Sequence, residues 1–130
     1  MTRPLALALI THQGPRTLRP DALSKVGKTP DIEGVTDQKT YSDGTMSVTL
    51  FTESGQHVRD MLIAYFPKER LLVEADLYAA GAPLQMFANA FLGELKQRNL
   101  RIDRIAPLHG PVASYAQFVK DAAAPPPTAN

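Results

Sequence analysis

Cysteine is absent from this sequence of 130 residues. A disulfide framework, a thiolate metal site and a cysteine nucleophile are therefore excluded, and any metal has to be held by His, Asp or Glu. The same absence leaves the compartment open. An excess of one charge is lacking too: fourteen Lys plus Arg against thirteen Asp plus Glu leave +1 at pH 7. That balance offers no basic field to gather nucleic acid or anionic lipid, so neither is expected as a partner. Long apolar runs are missing. The run over residues 4–10 stands behind a single Arg3, is too short to span a bilayer and has no small-residue cleavage site after it. It reads as an edge or core strand. There is no internal repeat, and histidine is confined to His12, His57 and His109.

What is present is ordinary for one globular domain: 44% hydrophobic and 21% charged residues. A chain of this size buries roughly two-thirds of the surface it exposes when unfolded, enough for one modest core. Eleven prolines are the unusual number. They interrupt helices and leave a central sheet short of donors, so the regular elements have to lie between them.

Residues 11–30, with Pro15, Pro20 and Pro30, read as loop with one helical turn at 21–26, capped by Asp21. A strand-rich block follows. Met46, Val48 and Leu50 alternate with Ser47, Thr49 and Phe51, and Asp43-Gly44 before them signals a tight turn whose partner strand ends near Tyr41. The apolar run 61–66 predicts a strand covered on both faces. Pro67-Lys68-Glu69-Arg70 turns it into a second run, 71–73, with a charged tip expected to be solvated. Leu84, Phe87, Ala88, Phe91, Leu92 and Leu95 keep helical spacing, and their aromatic members read as core. One short strand is expected within 101–107. Ser114 and Gln117 then have capping-box spacing ahead of a stripe of Tyr115, Phe118, Val119 and Ala122. The expected fold class is α/β in the α+β sense, a mixed or antiparallel sheet covered by helices, over residues 1–122, with 123–130 a disordered proline-rich tail.

The chemistry-bearing side chains stand at the ends of these elements. His57 precedes the strand 61–66, Asp76 follows the run 71–75, and His109 follows Ile105-Ala106-Pro107-Leu108. If the hairpin closes at 67–70, His57 and Asp76 meet at its open end. An Asp behind Leu-Leu-Val-Glu-Ala is expected to be partly buried, and a buried carboxylate needs a cation, a donor network or a metal. His12, beside Gln13 and Gly14, has no such company and reads as loop.

The stretch from Gly55-Gln56-His57-Val58 through Glu74-Ala75-Asp76-Leu77-Tyr78, with the later Leu108-His109-Gly110-Pro111, resembles the second half of the metallo-β-lactamase fold hydrolases. The resemblance implies half of an αββα sandwich. It also implies roles: His57 as ligand of a first metal, Asp76 as the carboxylate bridging two, and His109 as ligand of the second, with zinc as the cofactor. Asp where some lactamase branches use Cys places the likeness with the broad glyoxalase-like hydrolases. Val58 stands where many members have Ser or Thr.

The family's H-x-H-x-D-H cluster does not occur in this sequence. The expectation is therefore the C-terminal part of a zinc hydrolase, truncated and inactive alone, its small-molecule substrate undefined. The alternative is a non-catalytic metal-binding half-domain, or one that dimerises to cover its open sheet face. The partners implied are the missing N-terminal half or a second copy.

Overall fold

In the computed structural model, which describes residues 25, 27, 33–53, 61–83 and 85–124, the first hairpin is set by its turn chemistry. Strands β1 (Gln38–Ser42) and β2 (Ser47–Glu53) pair antiparallel, Thr40 opposite Thr49. Between them Gly44 has φ 90°, a conformation open to glycine at no steric cost. Asp43 Oδ1 accepts the N–H groups of Met46 and Thr45, each at 2.8 Å, and those two bonds hold its carboxyl below the usual range. The alternating pattern in 46–51 thus becomes strand as expected.

Strand β3 (Met61–Phe66) pairs antiparallel with β2 on one side and β4 (Leu71–Glu74) on the other. The connection to the next strand is the helix α1 (Ala88–Arg98), and β5 (Arg104–Pro107) returns parallel to β4. A short β6 (Ala113–Ser114), which periodicity does not reveal, pairs antiparallel with β5 and leads into α2 (Tyr115–Ala123). The result is one six-stranded mixed sheet in the order β1 to β6. The α+β class read from the sequence is the observed one.

The core lies where one sheet face meets the two helices. Tyr65, Leu72 and Ile105 are register partners across three neighbouring strands, and all three are buried. Against them α1 sets Ala88, Phe91, Leu92 and Leu95, and α2 sets Phe118 and Ala122. These are the stripes that helical spacing predicted. Arg98 secures the end of α1 to β2: its Nη2 donates to the Thr52 carbonyl at 2.8 Å and its guanidinium lies 4.7 Å from the Phe51 ring centroid.

Three local expectations need correction. The helix begins at Ala88 rather than near residue 84, because Gln85 is occupied as a loop brace: its amide donates to the carbonyls of Ala79 and Ala82 and accepts from Ala79 N–H. Phe87 occupies the N-cap position and is half-buried against the core. The capping box is only half made: Ser114 Oγ accepts Gln117 N–H at 3.1 Å, while the Gln117 amide turns forward to Asp121 at 2.6 Å. The hairpin tip is not wholly solvated either. Arg70, at φ 48°, pairs with Asp103 at 3.4 Å, and its carbonyl accepts the N–H groups of Asp103 and Arg104. Glu69 is half-buried there, whereas Lys68 is exposed. The expected strand at 4–10, the His12 loop, most of the turn at 21–26, His57, Leu84 and residues 125–130 of the tail lie outside the described residues.

Ser114→Ala removes the acceptor that satisfies the first turn of α2. The expected loss is about 1 kcal/mol, within the range of roughly 0.5–2 found for such caps, read as a lower urea midpoint with an unchanged slope.

Candidate functional site

The parallel pair β4 and β5 creates the site. Glu74 and Pro107 are register partners at the strand ends, and two residues beyond each come Asp76 and His109. Both chains leave the sheet in the same direction at the same level, so the two side chains arrive together. His109 Nε2 lies 3.2 Å from Asp76 Oδ1. The Asp76 side chain is 20% exposed and the imidazole 66%, so the pair opens to solvent on the histidine side.

The backbone at Asp76 turns sharply, with φ 66°. Asp tolerates this left-handed conformation better than most residues. The turn is braced by Glu74, whose Oε2 accepts the N–H of Leu77 at 2.9 Å. The Glu74 carbonyl also accepts Leu108 N–H at 2.9 Å, tying the segment before His109 to the end of β4. Further out, the Tyr78 hydroxyl donates to Asp121 of α2 at 2.9 Å. Burial chiefly, then that partner, pushes this phenol up to about 12.

Sequence context alone does not assign Glu74 to the site, although a carboxylate inside the apolar run 71–75 is itself a signal. It is fully buried. Burial pushes its carboxyl from 4.5 up to about 7, against the pull of the Leu77 and Tyr78 N–H groups, and the charge of Asp76 adds to the rise. The folded chain thus holds the proton more tightly than the unfolded chain does. Between about pH 4.5 and 7 this group makes stability fall as pH rises. In metal-free protein, Glu74→Gln is expected to flatten that stretch of the stability profile, checked by urea unfolding at half-unit intervals of pH.

His57 lies outside the described residues. The residues that flank its segment, Glu53 and Met61, are register partners. Because β3 runs antiparallel to β4, its Met61 end is the end of the sheet from which Asp76 leaves. A separate cleft of about 610 Å³, lined by Glu33, Asp37, Glu53, Glu94 and Arg98 among others, does not include Asp76 or His109.

The donor pair suits a metal. Two ligands held about 2.0–2.2 Å from one tetrahedral ion lie about 3.3–3.6 Å apart, so the observed pair has to open only by a few tenths of an ångström to admit one, and a nitrogen with a carboxylate oxygen is a zinc-type donor set. Asp76 and His109 therefore fit as two ligands of one ion. Among the described residues no group of three His, Cys, Asp or Glu converges as a complete site.

No family model matches the sequence, and no curated protein matches it. Solved structures do. A metallo-β-lactamase from Pontibacter korlensis superposes with a TM-score of 0.60 at 20% identity, over 80% of this chain and 53% of that one. The DIM-1 metallo-β-lactamase gives 0.55 at 16% identity, over 80% and 52%. Rubredoxin oxygen:oxidoreductase from Desulfovibrio gigas gives 0.54 at 18% identity, over 78% and 32%. The chain spans about half the length, or less, of these structures. At such identities the likeness concerns architecture: this chain has the metallo-β-lactamase fold, over a stretch corresponding to about half of the lactamase chains it matches.

Proposed function

We propose that the chain is the C-terminal part of a metal-dependent hydrolase, with His57, Asp76 and His109 as its share of the zinc ligands. The 3.2 Å approach of His109 Nε2 to Asp76 Oδ1 carries this reading, since parallel strands deliver a nitrogen and a carboxylate oxygen close to ligand spacing. When bound, zinc would supply Lewis acidity and lower the pKa of a coordinated water toward about 7. The chain's own contribution is positional. Asp76 is fixed by its turn, and His109 presents its exposed edge to solvent. Binding through His109 would use the lone pair of Nε2 on the exposed edge of the ring.

Hydrolysis rather than redox chemistry rests on the lactamase neighbours and on the likeness to glyoxalase-like enzymes; the fold also serves an oxidoreductase. Three ligands are too few for a two-metal centre, so the remaining donors would come from an N-terminal half or from a second copy of this chain. The 130 residues alone are accordingly expected to show no zinc-dependent turnover of ester, lactam or phosphodiester substrates above an Asp76→Ala control. Zinc content after dialysis tests the binding itself. Retention by the native chain and loss in Asp76→Ala and His109→Ala support the reading, while equal content in all three contradicts it.

A further inference from the structure

Glu74 is a costly residue where it stands. It closes β4 between Leu72 and Ala75, both fully buried, and is itself fully buried. Its Oε1 has no hydrogen-bond partner among the described residues. An aliphatic side chain would occupy such a place without that desolvation penalty. What an aliphatic side chain lacks is an acceptor, and the other oxygen is used as one: Oε2 takes the Leu77 N–H at 2.9 Å. That bond spans Ala75 and Asp76 and closes a ring around the residue whose backbone sits at φ 66°. The Glu74 carbonyl holds Leu108 N–H at 2.9 Å, one position before His109. Both arms of the donor pair are thus referred to one buried residue.

We propose that Glu74 is a positioning residue that presents Asp76 to the metal by clamping the Asp76 turn through Leu77 N–H. The inference rests on the reading of Asp76 and His109 as ligands, but the clamp has a metal-free signature of its own. Outer partners that orient ligands change metal affinity by about 10–100-fold when removed. The clamp is specific in one respect: any side chain of the same length with an oxygen acceptor should replace the carboxylate.

The experiment uses the full chain as native protein, Glu74→Ala, Glu74→Gln and Asp76→Ala. Cobalt(II) titration followed by visible absorption reads affinity and geometry, and amide hydrogen exchange reads Leu77 against the β3 amide of Tyr65. Glu74→Ala should bind cobalt about 10-fold more weakly. Its Leu77 amide should exchange about 10-fold faster, with Tyr65 unchanged. Glu74→Gln should restore both. Native-like Leu77 exchange and cobalt affinity in Glu74→Ala would overturn the clamp, as would failure of Glu74→Gln to restore them. If Glu74→Ala does not fold, Glu74→Gln decides: native-like values support the clamp and lost Leu77 protection refutes it. Native protein binding cobalt no better than Asp76→Ala overturns the metal reading instead, and Leu77 exchange then decides the clamp alone.

Discussion

Phe118→Ala is expected to remove about 4 kcal/mol of folding free energy, the middle of the range of roughly 3–5 kcal/mol for a buried aromatic truncated to alanine. Phe118 has no exposed surface, and three other rings surround it: Tyr78 at 5.0 Å in an edge arrangement, Phe91 at 5.7 Å and Tyr115 at 5.7 Å. These belong to the segment after β4, to α1 and to α2. The ring is therefore the point where both helices and the site segment are packed together, and neighbours drawn from three segments collapse poorly into the void. A domain of this size has a total stability of only about 5–15 kcal/mol. Urea unfolding should show the midpoint falling sharply, and a loss below about 1 kcal/mol would mean that the helices are not seated as described. Phe118→Leu, which keeps most of the volume, should recover much of the loss.

The second large effect concerns binding. Asp76→Ala is expected to weaken zinc binding by more than about 100-fold, beyond the 10–100-fold typical of an outer partner, because it removes one of two convergent donors. Among the described residues the imidazole of His109 is then left as the remaining donor of the pair, 66% open to solvent. Alanine is also strained at φ 66°, so the loss in Asp76→Ala mixes ligand and turn. Asp76→Asn separates them. Asn accepts the left-handed conformation readily but carries no charge. It should fold within about 0.5 kcal/mol of the native chain, as substitutions without a packing or backbone penalty do, yet still bind zinc far more weakly. Calorimetric titration with unfolding curves on the same samples checks both halves. Native-like affinity in Asp76→Asn would remove Asp76 from the ligand set.

Much of this architecture is legible in the amino-acid order. Period-two alternation around Leu50, the uninterrupted run at 61–66 and the turn chemistry of Asp43-Gly44 specify the antiparallel hairpins locally, and helical spacing marks the faces of α1 and α2. Asp76 and His109 are conspicuous because each follows an apolar run. Their meeting is not legible. It depends on β5 returning parallel to β4 with Glu74 opposite Pro107, a pairing between strands about thirty residues apart that neither strand's own pattern encodes. The role of Glu74 is hidden for a related reason. A carboxylate inside an apolar run marks an anomaly without saying what it bonds, and only the fold shows it fully buried and bonded to Leu77. The start of α1 is displaced because Leu84 continues the apolar rhythm while the side chain of Gln85 is committed to the preceding loop. Periodicity carries no information about such a brace.

The proposed function requires Asp76 and His109 to be ligands of a single ion. The direct measurement is a crystal of the chain grown with zinc and recorded on both sides of the zinc absorption edge. Shared ligation predicts one anomalous peak about 2.0–2.2 Å from both His109 Nε2 and an Asp76 carboxylate oxygen. A zinc ion held elsewhere, or an Asp76–His109 pair that stays in direct contact with no ion between its donors at saturating zinc, would contradict it.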